Sequence, residues 1–474
     1  MYASKDVRPA DLGFAGRAEF HLDATPGLNL QVVLLFLDAQ KQRISHAQKG
    51  VNRNETAQIP VGTEWIRLGL RIYGPGSARI HGLVLGHRPL RPAEVLGRSR
   101  HLVLTNHYPS YDDLYRNGFV HTRVAAYAAR GTRVDVFRLR RDAGLSYHEF
   151  HDADVITGSQ EALHKLLAGG DYRSVLVHFL DEAMWEVLKH HIDRVKVIVW
   201  VHGAEFQPRH RREFNFEGED QLRSARLQSE ERMRFWQGLL REMPANLQLV
   251  FVSNYFAGEV MEDPGFRLPE GKYHVIHNPI DTRLFAYHPK SPEHRKKVLS
   301  IRTYASRKYA NDLTVDAILA LKAVPWFKQV EFRPVGDGKL FDEVLAPVRG
   351  LENVVIERRF LTQPEIAQLQ RDYGIFLTPT RWDSQGVSRD EAMASGLVPV
   401  TNAVSGVPEF VDATCAITAP AEDAAGLAEG IAQLVDDPER FLAMSRAAGE
   451  RVRAQSDSDA MVARELGLFA GPSA

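Results

Sequence analysis

The most constraining feature of this chain is the stretch over residues 375–408, where an apolar run, a glycine turn, a short helical pattern and a second apolar run follow one another. Ile375, Phe376 and Leu377 read as a buried strand. Gly386 then lets the backbone pass close to a ligand before a helix begins, and Gly396 stops that helix ahead of Leu397-Val398-Pro399-Val400, the next strand. The free amides of Gly386, Val387 and Ser388, at the helix start, are expected to face an anion. Strand, turn, short helix and strand make half of a nucleotide-binding fold. Asp383 and Glu391 stand in this stretch with seven residues between them. Ser388-x-x-Glu391 also reads as a capping box, and acids suit a helix start on their own account.

The same alternation runs through most of the chain. Residues 101–105, 132–137, 174–179, 195–201 and 248–252 read as strands, with helical patterns at 120–130 and 222–240. A second series places strands at 298–301, 329–335 and 353–360 and helices at 364–371, 424–435 and 438–453. Strands alternating with helices predict α/β architecture with parallel sheets. The polar, aromatic loop over 106–119 follows the end of a strand, where such sheets bind ligands.

The first ninety or so residues have a different texture. Ile66, Leu68, Leu70 and Ile72 alternate with Arg67, Gly69, Arg71 and Tyr73, the pattern of a half-buried strand. Further strands at 19–22, 29–37 and 78–85, with turns at Thr25-Pro26-Gly27 and Gly74-Pro75-Gly76, predict a small antiparallel β-sandwich. Trp65 and Tyr73 are the aromatics a glycan-binding face would use. A docking or oligomerisation module accounts for the same residues equally well.

Charge and composition exclude several partners. With 59 basic and 60 acidic residues among 474, the net charge of -1 gives no reason to expect nucleic acid. A single cysteine, Cys415, excludes an intramolecular disulfide and fits a reducing compartment. No apolar run approaches the roughly 20 residues of a membrane span, and the start lacks a signal peptide's basic and apolar segments. The expectation is a soluble, cytoplasmic protein, with peripheral contact at the inner membrane face left open.

Taken together, Asp383-x7-Glu391, Gly386, the run Glu391-Ala392-Met393-Ala394-Ser395-Gly396 and Gly406-Val407-Pro408-Glu409 resemble the acid-x7-Glu signature of retaining GT-B glycosyltransferases of the family 4 type. The resemblance covers roughly residues 100–470. It implies two Rossmann-like domains facing a cleft, here behind an accessory β-sandwich: residues 1–97 for the sandwich, 98–286 for the acceptor domain and 287–457 for the donor domain. A C-terminal helix over 458–470 would pack back on the acceptor domain.

The resemblance also implies roles. The turn at Gly386, Val387 and Ser388 holds donor diphosphate and sugar, Glu391 the ribose, and Asp383 the sugar hydroxyls. Arg302 and Lys308 grip the diphosphate, with Arg307 the alternative second cation. Gly336 opens the family's Val-Gly-x-Gly turn. Phe360 lies where members hold the base, and Gly118 falls in the segment that often carries a double glycine. His202, in His202-Gly203, follows a strand and faces the interdomain cleft, with Glu205 a weaker candidate beside it. On residue type alone, a histidine after a strand is most often a structural hydrogen-bonder, and a basic cluster such as 302–308 or 209–212 faces solvent. The head at 209–212 has a second reading, contact with an anionic acceptor.

Two other motifs fail. Gly336-x-Gly338 is not a dinucleotide fingerprint, because Phe341 replaces the third glycine. Asp152-Ala153-Asp154 is too weak to imply a metal. The expected activity is metal-independent, cofactor-free transfer of a sugar, with retention, from a UDP- or GDP-type donor to a carbohydrate or lipid-linked glycan, such as a growing surface polysaccharide. A sugar-nucleotide epimerase and a non-catalytic glycan-binding protein are the alternatives. The sandwich is the expected contact if the chain forms a homo-oligomer.

Overall fold

A computed structural model describes residues 6–27, 29–73, 80–90, 99–110, 117–151, 153–169, 172–216 and 218–470. The turn at Gly74-Pro75-Gly76, most of the link that follows the sandwich, and Asp152 lie outside them. By compactness the chain divides into two units, residues 1–200 with 244–247 and residues 201–243 with 248–474.

The first unit begins with seven strands: β1 (Arg17–Ala24), β2 (Asn29–Leu37), β3 (Arg43–Lys49), β4 (Asn54–Gln58), β5 (Trp65–Tyr73), β6 (Ile80–Leu85) and β7 (Arg88–Leu90). They form two sheets of order β4-β1-β6-β7 and β3-β2-β5, antiparallel throughout, which make the expected sandwich. Its core takes Phe20 and Leu22 from one sheet and Leu34, Phe36, Ile66 and Leu68 from the other. The half-buried reading of β5 is corrected: Ile66, Arg67, Leu68, Gly69 and Leu70 are all buried. The outer face is closed by a second apolar cluster of Val33, Leu35 and Leu37 with Trp65 against it, and by an ion pair of Arg67 with Asp6. Trp65 is capped by Arg8 and Lys41, at 4.9 and 5.4 Å from its ring centroid.

The same unit continues with β8 (His101–Thr105), β9 (Asp135–Leu139), β10 (Ser146–Phe150), β11 (Ala153–Gly158), β12 (Ser174–His178) and β13 (Lys196–Trp200). They follow the order β10-β11-β9-β8-β12-β13, parallel except for β10. β8, β12 and β13 fall where the apolar runs predict them. β10 and β11 were not expected, and Ala153-Asp154 begins a strand.

In the second unit β14 (Leu247–Phe251) pairs in parallel with β15 (Tyr273–Val275). A six-stranded parallel sheet comprises β16 (Lys297–Ile301), β17 (Glu331–Gly336), β18 (Glu357–Arg358), β19 (Ile375–Leu377), β20 (Val398–Asn402) and β21 (Ile417–Ala419). Its order, β18-β17-β16-β19-β20-β21, is that of a doubly wound nucleotide-binding sheet, in which the direction of winding reverses between β16 and β19 while the strands stay parallel. The expected strand over 353–360 is shorter: two residues pair with β17, and Val354 makes an isolated bridge to Phe332. The C-terminal helix Ser458–Phe469 lies against residues 275–283, where Ile280 exchanges backbone bonds of 2.9 Å with Ser456 and Ser458, and Arg464 donates to the Val275 carbonyl at 2.7 Å.

Candidate active site at the switch point of the second sheet

Ligands of open α/β sheets bind beyond the strand ends where the winding reverses. Here the two loops at that point are residues 302–310, after β16, and residues 378–386, after β19. They contain Arg302, Arg307, Lys308, Asp383 and Gly386.

Arg302 is buried among neutral oxygens. Its Nη1 donates to Ser388 Oγ at 3.3 Å, and Nη2 to the carbonyls of Thr378 and Pro379 at 3.4 and 3.2 Å. Nε has no hydrogen-bond partner, and neither does Thr378 Oγ1 beside it. Burial lowers the pKa of the guanidinium, and the charge of Asp383 opposes that shift. Lys308 is held differently, half-buried against aromatic rings. Its Nζ lies 4.8 Å from the Trp382 ring and 5.6 Å from Tyr309, and no ion pair to it exists among the described residues. Burial lowers its pKa, against the pull of Asp383 and with the push of Arg302 and Arg212. Two cations without counterions, around one partly buried carboxylate, leave a deficit of negative charge.

The helix Val387–Ala394 aims its start into this region. Gly386 precedes it at φ 97°, in the left-handed region glycine favours, and a side chain there would meet the Arg389 guanidinium at 2.9 Å. The first intrahelical bond is made by the Asp390 amide to Gly386 at 3.0 Å, so the amides of Val387, Ser388 and Arg389 come before it. The capping-box reading of Ser388 does not hold: Ser388 is inside the helix and its hydroxyl accepts from Arg302. Gly396 ends the helix as expected, at φ 89°, with Gly396 donating to Met393 and Leu397 to Ala392, a Schellman arrangement.

Glu391 sits on the buried face of this helix. Burial pushes its carboxyl up to about 8, opposed by a hydrogen bond from Gln363 and reinforced by Asp390. Its neighbours Arg389 and Asp390 form a buried pair at 2.6 Å, and Gln385 links Asp390 to both the amide and the carbonyl of Asn278. That network ties the Asn278-Pro279-Ile280-Asp281 segment to the site turn, and it went unread in the sequence.

Gly336 and Gly338 bring the turn after β17 against the Arg302 loop. A Cβ on Gly336 would sit 1.8 Å from the Arg302 carbonyl oxygen, and one on Gly338 2.4 Å from the Tyr304 carbonyl carbon. Gly336 is thus required by backbone approach within the protein. Phe360, at the end of β18, is 47% exposed, while Leu361 after it is buried. Arg307 lies 3.6 Å from Glu343. Gly118 belongs to the first unit, at the start of the helix Gly118–Ala129 that follows Asn117 at φ 57°. No described atom lies within 4 Å of where its Cβ would be.

His202 follows β13, and its amide donates to Glu205 at 2.5 Å. The second oxygen of Glu205 is buried with no partner, and burial raises its pKa to about 7 against backbone hydrogen bonds and Arg232. Gly203 after it is pressed against Trp382: a Cβ there would lie 2.8 Å from the indole. Trp382, which sequence reasoning missed, donates its indole N–H to Glu259 at 3.0 Å, and Glu259 also accepts from Gln207 at 3.0 Å. Glu409 of the quoted Gly-Val-Pro-Glu run caps the helix Asn254–Glu262, accepting from the Asn254 and Tyr255 amides at 2.8 and 2.9 Å. His202, Lys308, Asp383, Arg302 and the helix start are therefore carried by segments that pack on one another through Gly203 and Trp382.

Residues 295–437 match a family model described as Glycosyl transferases group 1. No curated protein matches the chain. Among solved structures, sucrose-phosphate synthase from Thermosynechococcus elongatus is similar with a TM-score of 0.59 and 15% identity, over 78% of this chain and 98% of that one. A glycosyltransferase from Rickettsia africae is similar with a TM-score of 0.59 and 14% identity, over the same 78% and 98%. Anabaena HepE in complex with UDP and glucose gives a TM-score of 0.56 and 14% identity, again over 78% and 98%. The chain has the GT-B fold, two Rossmann-like α/β sheets behind small antiparallel sheets, and its residues 295–437 carry the glycosyl transferases group 1 match.

Proposed function

We propose that this protein is a retaining, metal-independent glycosyltransferase that moves a sugar from a UDP- or GDP-type donor to a growing surface polysaccharide or glycolipid. The observation that carries the reading is the meeting of a buried Arg302 and a half-buried Lys308, neither in an ion pair among the described residues, with a helix start and Asp383 at the switch point of the second sheet. Breaking the anomeric C–O bond leaves charge on a diphosphate oxygen. Arg302, Lys308 and the amides of Val387 and Ser388 oppose that charge as it forms, from fixed positions and without a metal. Asp383 orients sugar hydroxyls, and Glu391, protonated near neutrality, shares hydrogen bonds with the ribose. His202 contacts the donor sugar or the acceptor. Phe360 flanks the base.

HepE was solved with UDP and glucose, and the pneumococcal O-GlcNAc transferase GtfA with UDP and GlcNAc, which supports UDP as the first nucleotide to try. The division at residues 97/98 and 286/287 belongs to the same reading. So does a cytoplasmic location with peripheral contact at the inner membrane face; no helix among the described residues is long and apolar enough to cross a membrane.

The test is product analysis with UDP-glucose, UDP-GlcNAc and GDP-mannose in the presence of EDTA. The reading expects release of nucleoside diphosphate, with the anomeric configuration kept in the product by proton NMR. Dependence on added Mg²⁺ or Mn²⁺ would remove metal independence, and an inverted nucleotide sugar as product would make the protein an epimerase.

A further inference from the structure

The four basic residues at 209–212 separate once their partners are known. Arg209 pairs with Glu213 at 2.8 Å, His210 lies 3.7 Å from Asp263, and Arg211 is held by Glu259, Glu262 and Asp263 at 2.8–3.5 Å. Arg212 has no ion pair among the described residues; its one hydrogen bond runs to the Ala204 carbonyl at 3.4 Å.

Arg212 instead lines a cavity of about 390 Å³ with Arg307 and Lys339, and with Asn215 and Ser306, which are hydrogen bonded to each other. Lys339, exposed on the wall, also has no ion pair among the described residues. Among the described lining residues the one carboxylate is Glu343, 3.6 Å from Arg307, and the carboxylate that acts on Arg212, Glu205, lies outside the lining. Burial lowers the Arg212 pKa, so its charge is held at a cost that an anion would relieve. The cavity adjoins the reaction centre without being part of it. Arg307 and Lys308 are consecutive, and Arg212 is near enough to Lys308 to depress its pKa.

We propose that this cavity is a second anion site, which takes a phosphate ester or carboxylate carried by the sugar acceptor and so selects acidic acceptors. The inference rests on the glycosyltransferase reading for the word acceptor, but anion binding itself does not. Guanidinium forks and an ammonium suit an oxyanion, and a cavity of this volume admits a charged monosaccharide.

Binding of glucose 6-phosphate and, separately, of glucuronate to the full chain tests this, by titration calorimetry on wild type, Arg212→Gln and Lys339→Gln. UDP affinity is measured in parallel on all three. The expected result is saturable binding of one anion, weakened about tenfold by either substitution, with UDP affinity changed by less than about twofold. Which anion binds tells phosphate from carboxylate. Absence of saturable binding by both anions overturns the proposal, as does binding that both variants retain. An equal loss of UDP affinity also overturns it, by assigning the cavity to the donor. Lys339→Gln changes an exposed side chain, so a folding defect in Arg212→Gln leaves the test intact. Failure of UDP to bind wild type would count against the donor reading alone.

Discussion

Two buried arginines in this chain are treated in opposite ways. Arg67, on the outer face of the sandwich, is 2% exposed and meets Asp6 through two parallel bonds, Nε to Oδ1 at 2.6 Å and Nη2 to Oδ2 at 3.0 Å. Arg302, at the switch point, is 9% exposed; among the described residues its guanidinium bonds a hydroxyl and two carbonyls and lies 5.6 Å from the Tyr309 ring centroid, with Nε unbonded. The first cation is matched by its own fold. The second is desolvated and left short of negative charge, which is the state of a group kept for an anionic ligand. The contrast separates stability from function in one residue type.

The comparison breaks most sharply by substitution. Arg302→Ala or Lys308→Ala is expected to lower kcat by about 10²–10³, roughly 3–4 kcal/mol, with no loss of thermal stability. A decrease below about threefold would take that residue out of the role. Asp6→Ala should do the reverse. It removes the carboxylate that pairs with Arg67 and Lys41 and should cost about 3–5 kcal/mol of stability in urea unfolding, with nucleotide affinity unchanged.

Glu391 sharpens the contrast through pH. Its folded pKa of about 8 lies above its ordinary 4.5, so the folded protein keeps a proton that the unfolded chain releases in between. Stability from this group therefore falls as pH rises from 4.5 towards 8, by at most about 1.4 kcal/mol per pH unit. Glu391→Gln should flatten that slope, seen as urea midpoints of variant and wild type that diverge between about pH 4.5 and about pH 8. Parallel midpoints would place the carboxyl in an ordinary environment.

A smaller effect is expected at Trp382→Phe. The ring face under Lys308 is kept, but Glu259 loses the indole donor, which should cost about 1–3 kcal/mol of stability while nucleotide affinity changes little. A large loss of affinity with stability intact would instead make Trp382 a ligand contact.

How much of this was legible in the sequence follows from how far apart the interacting residues stand. The site loops each lie within a short run after an apolar strand, so Arg302 to Lys308 and Asp383 to Glu391 could be matched to a family motif, although residue type alone read the first as solvent-facing and Glu391 as a capping acid. The doubly wound sheet followed from the alternation of strands and helices. Trp382 and Glu259 are 123 residues apart, and Glu409 and Asn254 155, so no local signal connects them, although a Trp beside Asp383 was a cue worth taking. Ser146–Phe150 and Ala153–Gly158 escaped because polar residues interrupt their apolar pattern. Period-two reading of β5 placed Arg67 outward correctly; its burial came from Asp6, some sixty residues earlier.

The central claim is that Arg302 and Lys308 are kept unpaired for a nucleoside diphosphate. Its most direct test is a thermal-shift comparison of wild type, Arg302→Ala and Asp6→Ala with UDP, GDP, ADP and CMP. A nucleotide in hundredfold excess over its Kd should stabilise wild type by about 2.7 kcal/mol. The account predicts that one diphosphate does so, that Asp6→Ala keeps the increment on a lower baseline, and that Arg302→Ala loses it. No shift with any nucleotide, or an undiminished shift in Arg302→Ala, would contradict it.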